Sequence, residues 1–388
     1  MSVEMIGIPP AGLDRLSEVT SALAANAERN DRTADFPADG IGVVHQAGLL
    51  TATVARRHGG PGAGLADTAR ILGALGRGDP SVALISAMTM FTHAAQAAAP
   101  TWPDDVYRAA LAESAAEPVL INALRVEPEL GTPARGGLPK TIAASTERGW
   151  QVTGRKIFST GAEGLRYMAV WARTDDADPR AGSFLVRNDA PGITIERSWD
   201  HLGLRASRSD DVTFDATPAV AAILDAPPGS ALSLTAWNSL GLSALYLGVA
   251  SAARDWLLKF LSERTPASLG APLATLPRFQ QAVGEIEAAL GSAAELVDAV
   301  ARRVDDGDDE AAVTRAPSVK LIATRAAIGS VEQALALTGN NGLSRKNPLE
   351  RHYRDVLCAR VHTPQDDSIA LAAGRAALDR WQTGDDHR

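Results

Sequence analysis

The feature that most constrains the fold is a change of texture near Glu117 that reverses near Pro227-Pro228-Gly229. Before it, apolar residues recur at three- and four-residue steps: Leu13, Leu16, Val19, Leu23 and Ala24 form one helical stripe. A further helix is expected from about Ala66, and another, capped by Asp79-Pro80-Ser81, from Val82 to about Ala98. Between Glu117 and Asp225 that period disappears. β-rich runs alternate there with turn residues: Val119-Leu120-Ile121, Trp150-Gln151-Val152, Arg155 to Ser159, Met168 to Arg173, Ser183 to Val186, Ile193 to Ile195 and Val212 to Phe214. Thr153-Gly154 reads as a tight turn between two of these strands. The helical period then returns. One helix is expected from Leu234 to Arg264. A second opens at Pro277, with Phe279, Val283, Ile286, Leu290, Val297, Val300 and Val304 on one stripe. A third is opened by Pro317, and a fourth runs from Asp367 to about Thr383. Long helices with short connections predict a four-helix bundle. The fold class is therefore α+β: an N-terminal helical domain over 1–117, a central antiparallel β-barrel or sandwich over 118–228, and a C-terminal four-helix bundle over 229–388.

Composition narrows the function. The 388 residues are enough for a large buried core, and a net charge of -8 gives no basic field for nucleic acid. The sequence has no run of about 18 apolar residues, so no membrane span is expected. The opening Met-Ser-Val-Glu-Met-Ile-Gly has neither the basic region nor the apolar core of a signal peptide. A single cysteine, Cys358, cannot form an internal disulfide, which suits a cytoplasmic location. Gly59 to Gly64 lacks the strand before it and the Gly-Lys-Ser/Thr after it that a phosphate loop needs, and reads as a turn. Asp305 to Glu310 lacks the ligand order of a calcium loop and reads as a solvated acidic turn.

Two stretches carry more information. Arg155-Lys156-Ile157-Phe158-Ser159-Thr160-Gly161 places an aromatic beside two hydroxyls. On spacing alone this is an amphipathic strand with Phe158 in the core; it also suits a flat heteroaromatic ring, stacked on the side chain and hydrogen-bonded by a hydroxyl. Gly339-Asn340-Asn341-Gly342, then Pro348-Leu349-Glu350-Arg351, Arg354-Asp355 and Val361-His362-Thr363, form the second. Together they resemble the acyl-CoA dehydrogenase family, whose patterns read Lys-x-Trp-Ile-Thr-Asn-Gly, a Gly-rich turn, Pro-x-Glu-Arg, x-Arg-Asp and Tyr-Glu-Gly-Thr. Glu127 to Pro133 is similar to the family's Thr-Glu-Pro-x-Ala-Gly-Ser loop, and Leu202 to Ser207 to its Leu-Gly-x-Arg-x-Ser.

The resemblance implies a flavoprotein oxidoreductase with FAD, or alternatively FMN. It places Phe158 against the isoalloxazine, Ser159 beside it, Thr160 at flavin N5, Thr132 at a phosphate, Arg264 at the pyrophosphate of a neighbouring subunit, and Gly339 and Asn341 along the adenine half. It also implies a homo-oligomer, a tetramer or dimer. The family's catalytic glutamate stands either at Thr363 or early in the first bundle helix, here Asn238. Neither residue takes a proton from substrate at neutral pH. Asp366 is the carboxylate in reach as a replacement base, though a helix N-cap is its plainer role. His362 adjoins the missing base, and His93 is a second histidine of interest; in the oxygenase branch of the family, histidines serve where reduced flavin meets O2. Three functions follow: a dehydrogenase oxidising the CH–CH bond of an acyl thioester and passing electrons to an acceptor; a monooxygenase on the same fold, acting on an aromatic or acyl substrate and fed by a flavin reductase; or a non-catalytic flavin-binding relative. No metal site is expected, because the spacing of His352, His362 and Asp366 matches no standard ligand set.

Overall fold

The computed structural model describes residues 7–130, 137–225, 230–307 and 310–383. In chain order its helices and strands are α1 (Leu16–Thr33), α2 (Ala38–Gln46), α3 (Leu65–Gly78), α4 (Pro80–Ala98), α5 (Asp104–Ala116), β1 (Leu120–Leu124), β2 (Ile142–Thr146), β3 (Gly149–Ser159), β4 (Leu165–Thr174), β5 (Ala181–Arg187), β6 (Ile193–Glu196), β7 (Asp210–Pro218), β8 (Ala221–Ile223), α6 (Ser230–Glu263), α7 (Pro277–Asp305), α8 (Glu310–Thr338), α9 (Leu349–Leu357) and α10 (Asp366–Thr383). They form two compact units. One holds α1, α2, α4, α5 and the strands; the other holds α3, the 202–204 segment and α6 to α10. Helix α3 thus joins the bundle unit, although it lies inside the expected N-terminal segment.

In the first unit the strands form one sheet in the order β6-β7-β3-β2-β4-β5-β8, with β1 also paired to β4. The sheet is mixed, which corrects the expectation of an antiparallel one. β1 and β2 both pair parallel to β4, while the other pairs are antiparallel. The β2–β3 hairpin also moves the expected turn. Gly149 (φ +105°) turns the chain after Glu147-Arg148, and 149–159 is one strand, with Thr153-Gly154 as an irregularity inside it. The core under this sheet joins Val54, Trp102, Tyr107, Ala110 and Leu111 from the helical segment to Val119, Ile121, Tyr167 and Leu185.

In the second unit α7 buries Phe279, Ala282, Ile286, Leu290, Ala293, Val297 and Val300, the stripe its sequence predicts. Pro317 does not open a helix. It lies inside α8, which already begins at Glu310, directly after the acidic turn. Asp305, the last residue of α7, accepts hydrogen bonds from the backbone N–H groups of Leu65 (2.6 Å) and Ala66 (2.9 Å), so part of the acidic turn caps α3. Asp308 and Asp309, like the Pro227-Pro228-Gly229 linker, lie outside the described residues. Helices α3 and α6 cross at glycines: a Cβ on Gly76 would strike the Leu245 carbonyl, and one on Gly248 the Gly73 carbonyl. Helix α10 is the loosest member, with Ile369 its buried residue and Leu371, Leu378 and Trp381 exposed.

Candidate functional site

In the sheet unit the Phe158 segment ends β3. Its register against β7 shifts between Lys156 and Ser159, and Phe158 sits at φ +57°, a left-handed conformation unfavourable for an aromatic residue. The bulge turns the Phe158 ring outward, leaving the residue 52% exposed; the expectation of a plain strand with Phe158 in the core is corrected. The ring meets Trp199 and His201 edge-on, at 6.3 and 5.9 Å, and those two stack on each other at 3.6 Å. Ser159 is buried, and its Oγ has no hydrogen-bond partner among the described residues. Thr160 Oγ1 is 3.0 Å from Ser209 Oγ, which is 2.9 Å from Ser207 Oγ, and Asn122 donates to the Thr160 carbonyl at 3.0 Å. An exposed aromatic face beside an orphaned buried hydroxyl and a chain of rotatable hydroxyls fits a flavin ring.

Beneath this segment the buried Lys156 Nζ donates to Glu127 Oε1 at 2.7 Å. The same carboxylate accepts from the N–H of Lys140 (2.7 Å), the N–H of Thr141 (3.0 Å) and the Thr141 hydroxyl. Burial pushes the Glu127 carboxyl up, but the hydrogen bonds from Lys156 and Thr141 outweigh it and hold the group below the ordinary carboxylate range.

In the bundle unit a second polar cluster gathers around the 359–366 segment. Tyr246 Oη of α6, fully buried, lies 2.7 Å from His362 Nδ1. Lys320 of α8, also buried, donates to the Ala359 carbonyl at 3.1 Å and lies 3.7 Å from Asp366 Oδ1, an oxygen with no hydrogen-bond partner among the described residues. Burial and the nearby Lys320 charge lower the His362 pKa to about 4. Burial raises Asp366, opposed by Lys320, Arg325 and Arg360. Burial also raises Tyr246 well above the ordinary phenol range. Cys358 is pushed up to about 12 by burial and by Asp355, so it is inert as a nucleophile.

The remaining expected residues are scattered. Thr132 lies outside the described residues. Asn238 is half-buried on α6, about two turns before Tyr246. Arg264 follows the last residue of α6 with its side chain exposed. Gly339 (φ +54°) and Asn341 form an exposed turn after α8, closed by Asn347 donating to the Asn341 carbonyl at 2.6 Å. Thr363 is exposed. His93 belongs to a different cluster: fully buried, it lies 3.0 Å from Tyr107 Oη, and burial lowers its pKa to about 4. Tyr246, Lys320 and Trp199 escape sequence reasoning, since each looks like an ordinary apolar-stripe, surface or loop residue until its partner is known.

Family models described as acyl-CoA dehydrogenase N-terminal, middle and C-terminal domains match residues 17–99, 125–217 and 240–366. The chain is 32% identical to "Putative acyl-CoA dehydrogenase YdbM" of Bacillus subtilis (strain 168), over 92% of this chain and 94% of that protein. It is 28% identical to L-evernosamine nitrososynthase of a Micromonospora species, over 96% of this chain and 92% of the other. Among solved structures it is similar to KijD3 in complex with FMN and an amino-keto dTDP-sugar, with a TM-score of 0.77 and 28% identity over 96% of this chain and 95% of that one.

Proposed function

The chain belongs to the acyl-CoA dehydrogenase family of flavin-dependent oxidoreductases, and on that premise we propose that it is a monooxygenase of this fold, using reduced flavin and O2 on a small organic substrate. The observation that carries the reading is the state of the carboxylates. The resemblance puts the family's two base positions at Thr363 and Asn238, neither a carboxylate, and the replacement candidate Asp366 is a half-buried partner of a buried lysine. A carboxylate held beside Lys320 is poorly placed to take a substrate proton. His362, adjoining the vacant base position, is instead hydrogen-bonded and neutral at pH 7. The nitrososynthase and the FMN complex of KijD3 among the relatives favour the same reading.

Phe158 would bear the flavin ring, with Ser159 and Thr160 offering hydroxyls at its edge; FAD is the proposed form and FMN the alternative. When bound, the reduced flavin supplies the electrons that activate O2. The chain's own work would be to hold the ring at Phe158 in the sheet unit and, in the bundle unit, to keep His362 as a neutral hydrogen-bond donor. For FAD, the exposed Arg264 and the Gly339–Asn341 turn would serve the cofactor of a second copy, so self-association belongs to the proposal. The exposed Leu371, Leu378 and Trp381 on α10 suit it.

The similarity to YdbM favours a second reading, an acyl-CoA dehydrogenase with Asp366 as base. Anaerobic mixing of the oxidised holoprotein with a panel of acyl-CoAs separates the two. Monooxygenase chemistry predicts no bleaching by any thioester, and product only when a flavin reductase and O2 are supplied. Bleaching that is abolished in Asp366→Asn would establish the dehydrogenase instead.

A further inference from the structure

We propose that Tyr246 and Lys320 are positioning residues that hold His362 as a neutral imidazole protonated on Nε2, so that it presents an N–H donor and not a base. This rests on His362 being the working residue of the monooxygenase reading. Tyr246 is 1% exposed, and His362 Nδ1, 2.7 Å away, is the partner its Oη has among the described residues. A buried O–H that did not donate to Nδ1 would leave its proton unsatisfied, at a cost of about 1–3 kcal/mol. So the phenol donates, Nδ1 accepts, and the imidazole proton sits on Nε2. Burial keeps the Tyr246 proton in place, helped by the charge of Asp355.

Lys320 Nζ grips the Ala359 carbonyl at 3.1 Å and faces Asp366 at 3.7 Å, so it fixes the chain three residues before and four after His362. The same charge opposes a second proton on the ring. The groups concerned are Tyr246 on α6, Lys320 and Arg325 on α8, and Asp355, Cys358, Arg360 and Asp366 on the flanking segment. Asp366 thereby acquires a role other than base: it balances Lys320. An Nε2–H donor suits an oxygen atom that gains negative charge during the reaction.

The test is nitrogen-15 NMR of full-length, flavin-loaded protein labelled at histidine, with His362→Gln identifying the resonances. At pH 7 the inference predicts one neutral form, with Nδ1 unprotonated and Nε2 protonated. Tyr246→Phe keeps the ring packing and removes the donor. It should give a mixture of tautomers and a His362 titration displaced upward, toward the ordinary 6.5. Lys320→Met should also displace the titration upward. A wild-type His362 protonated on Nδ1 or charged at pH 7 would overturn the proposal, as would tautomers unchanged in Tyr246→Phe. An unmoved titration in Lys320→Met would overturn the part assigned to lysine. Thioester bleaching of a protein with the expected tautomer supports the assignment and removes only the monooxygenase reading.

Discussion

Among the described residues two lysine–carboxylate pairs have a buried lysine, and they differ in almost everything but composition. Lys156 and Glu127 lie in the sheet unit, 0% and 1% exposed, 2.7 Å apart, with four donors on the carboxylate. Lys320 and Asp366 lie in the bundle unit, 1% and 13% exposed, 3.7 Å apart, with Asp366 Oδ1 unbonded. A buried ion pair stabilises only when its remaining lone pairs are satisfied; otherwise desolvation cancels most of the attraction. The first pair meets that condition, and its carboxyl is held low. The second does not, and its carboxyl is pushed up. The closed pair anchors the strand that carries Phe158. The open pair keeps charge available beside His362.

If that distinction is right, breaking the closed pair has the largest effect. Glu127→Ala strands a buried ammonium and three other donors, and should cost about 3–5 kcal/mol in urea unfolding. Lys320→Met leaves a carboxylate that is partly solvated and free to take a proton, so about 1–3 kcal/mol is expected. Equal losses in the two variants would remove the comparison.

Both pairs show how far the sequence could be read. The α7 stripe and most strands follow from apolar spacing, because period 3.6 and period 2 are local properties. Sequence alone puts the hairpin turn at Thr153-Gly154, because Thr153-Gly154 and Arg148-Gly149 carry the same glycine signal, and only pairing with β2 and β7 separates turn from bulge. Motif likeness gave Phe158, Ser159 and Thr160 as a group, but not the outward turn of the ring, which needs the register shift. Lys320 and Ala359 are 39 positions apart, and Tyr246 and His362 are 116 apart. No local pattern encodes such contacts, so the sequence offers Asp366 as a helix N-cap or a replacement base and not as the partner of Lys320.

Histidines sharpen the contrast through pH. His93 in the sheet unit and His362 in the bundle unit are lowered to about 4, and His352 in the bundle unit to about 3. Burial is the leading cause in each case. The sign follows from linkage: below 6.5 the unfolded chain takes protons that the folded chain refuses, so stability is full above 6.5 and falls as pH drops toward each folded value. Unfolding at pH 7, 6 and 5 should show progressive loss. His93→Gln should flatten the slope by one proton's share, and a slope unchanged by that variant would mean His93 is protonated in the folded chain.

The smallest effect on stability is expected where the strain is. Phe158 holds φ +57°, a conformation glycine adopts freely, while its ring is 52% exposed and touches Trp199 and His201 only edge-on. Phe158→Gly therefore removes roughly 1 kcal/mol of backbone strain and loses a side chain that buries little. It also frees the unfolded chain, which offsets part of the gain. The unfolding midpoint of the flavin-free protein should move by less than about 1 kcal/mol in either direction. Flavin affinity should fall tenfold or more if the ring is the isoalloxazine platform, a loss of about 1.4 kcal/mol in binding. A large drop in stability with flavin affinity intact would make Phe158 a packing residue of the sheet unit. The strain would then need another explanation, and the flavin would have to find its aromatic neighbour in the Trp199–His201 stack.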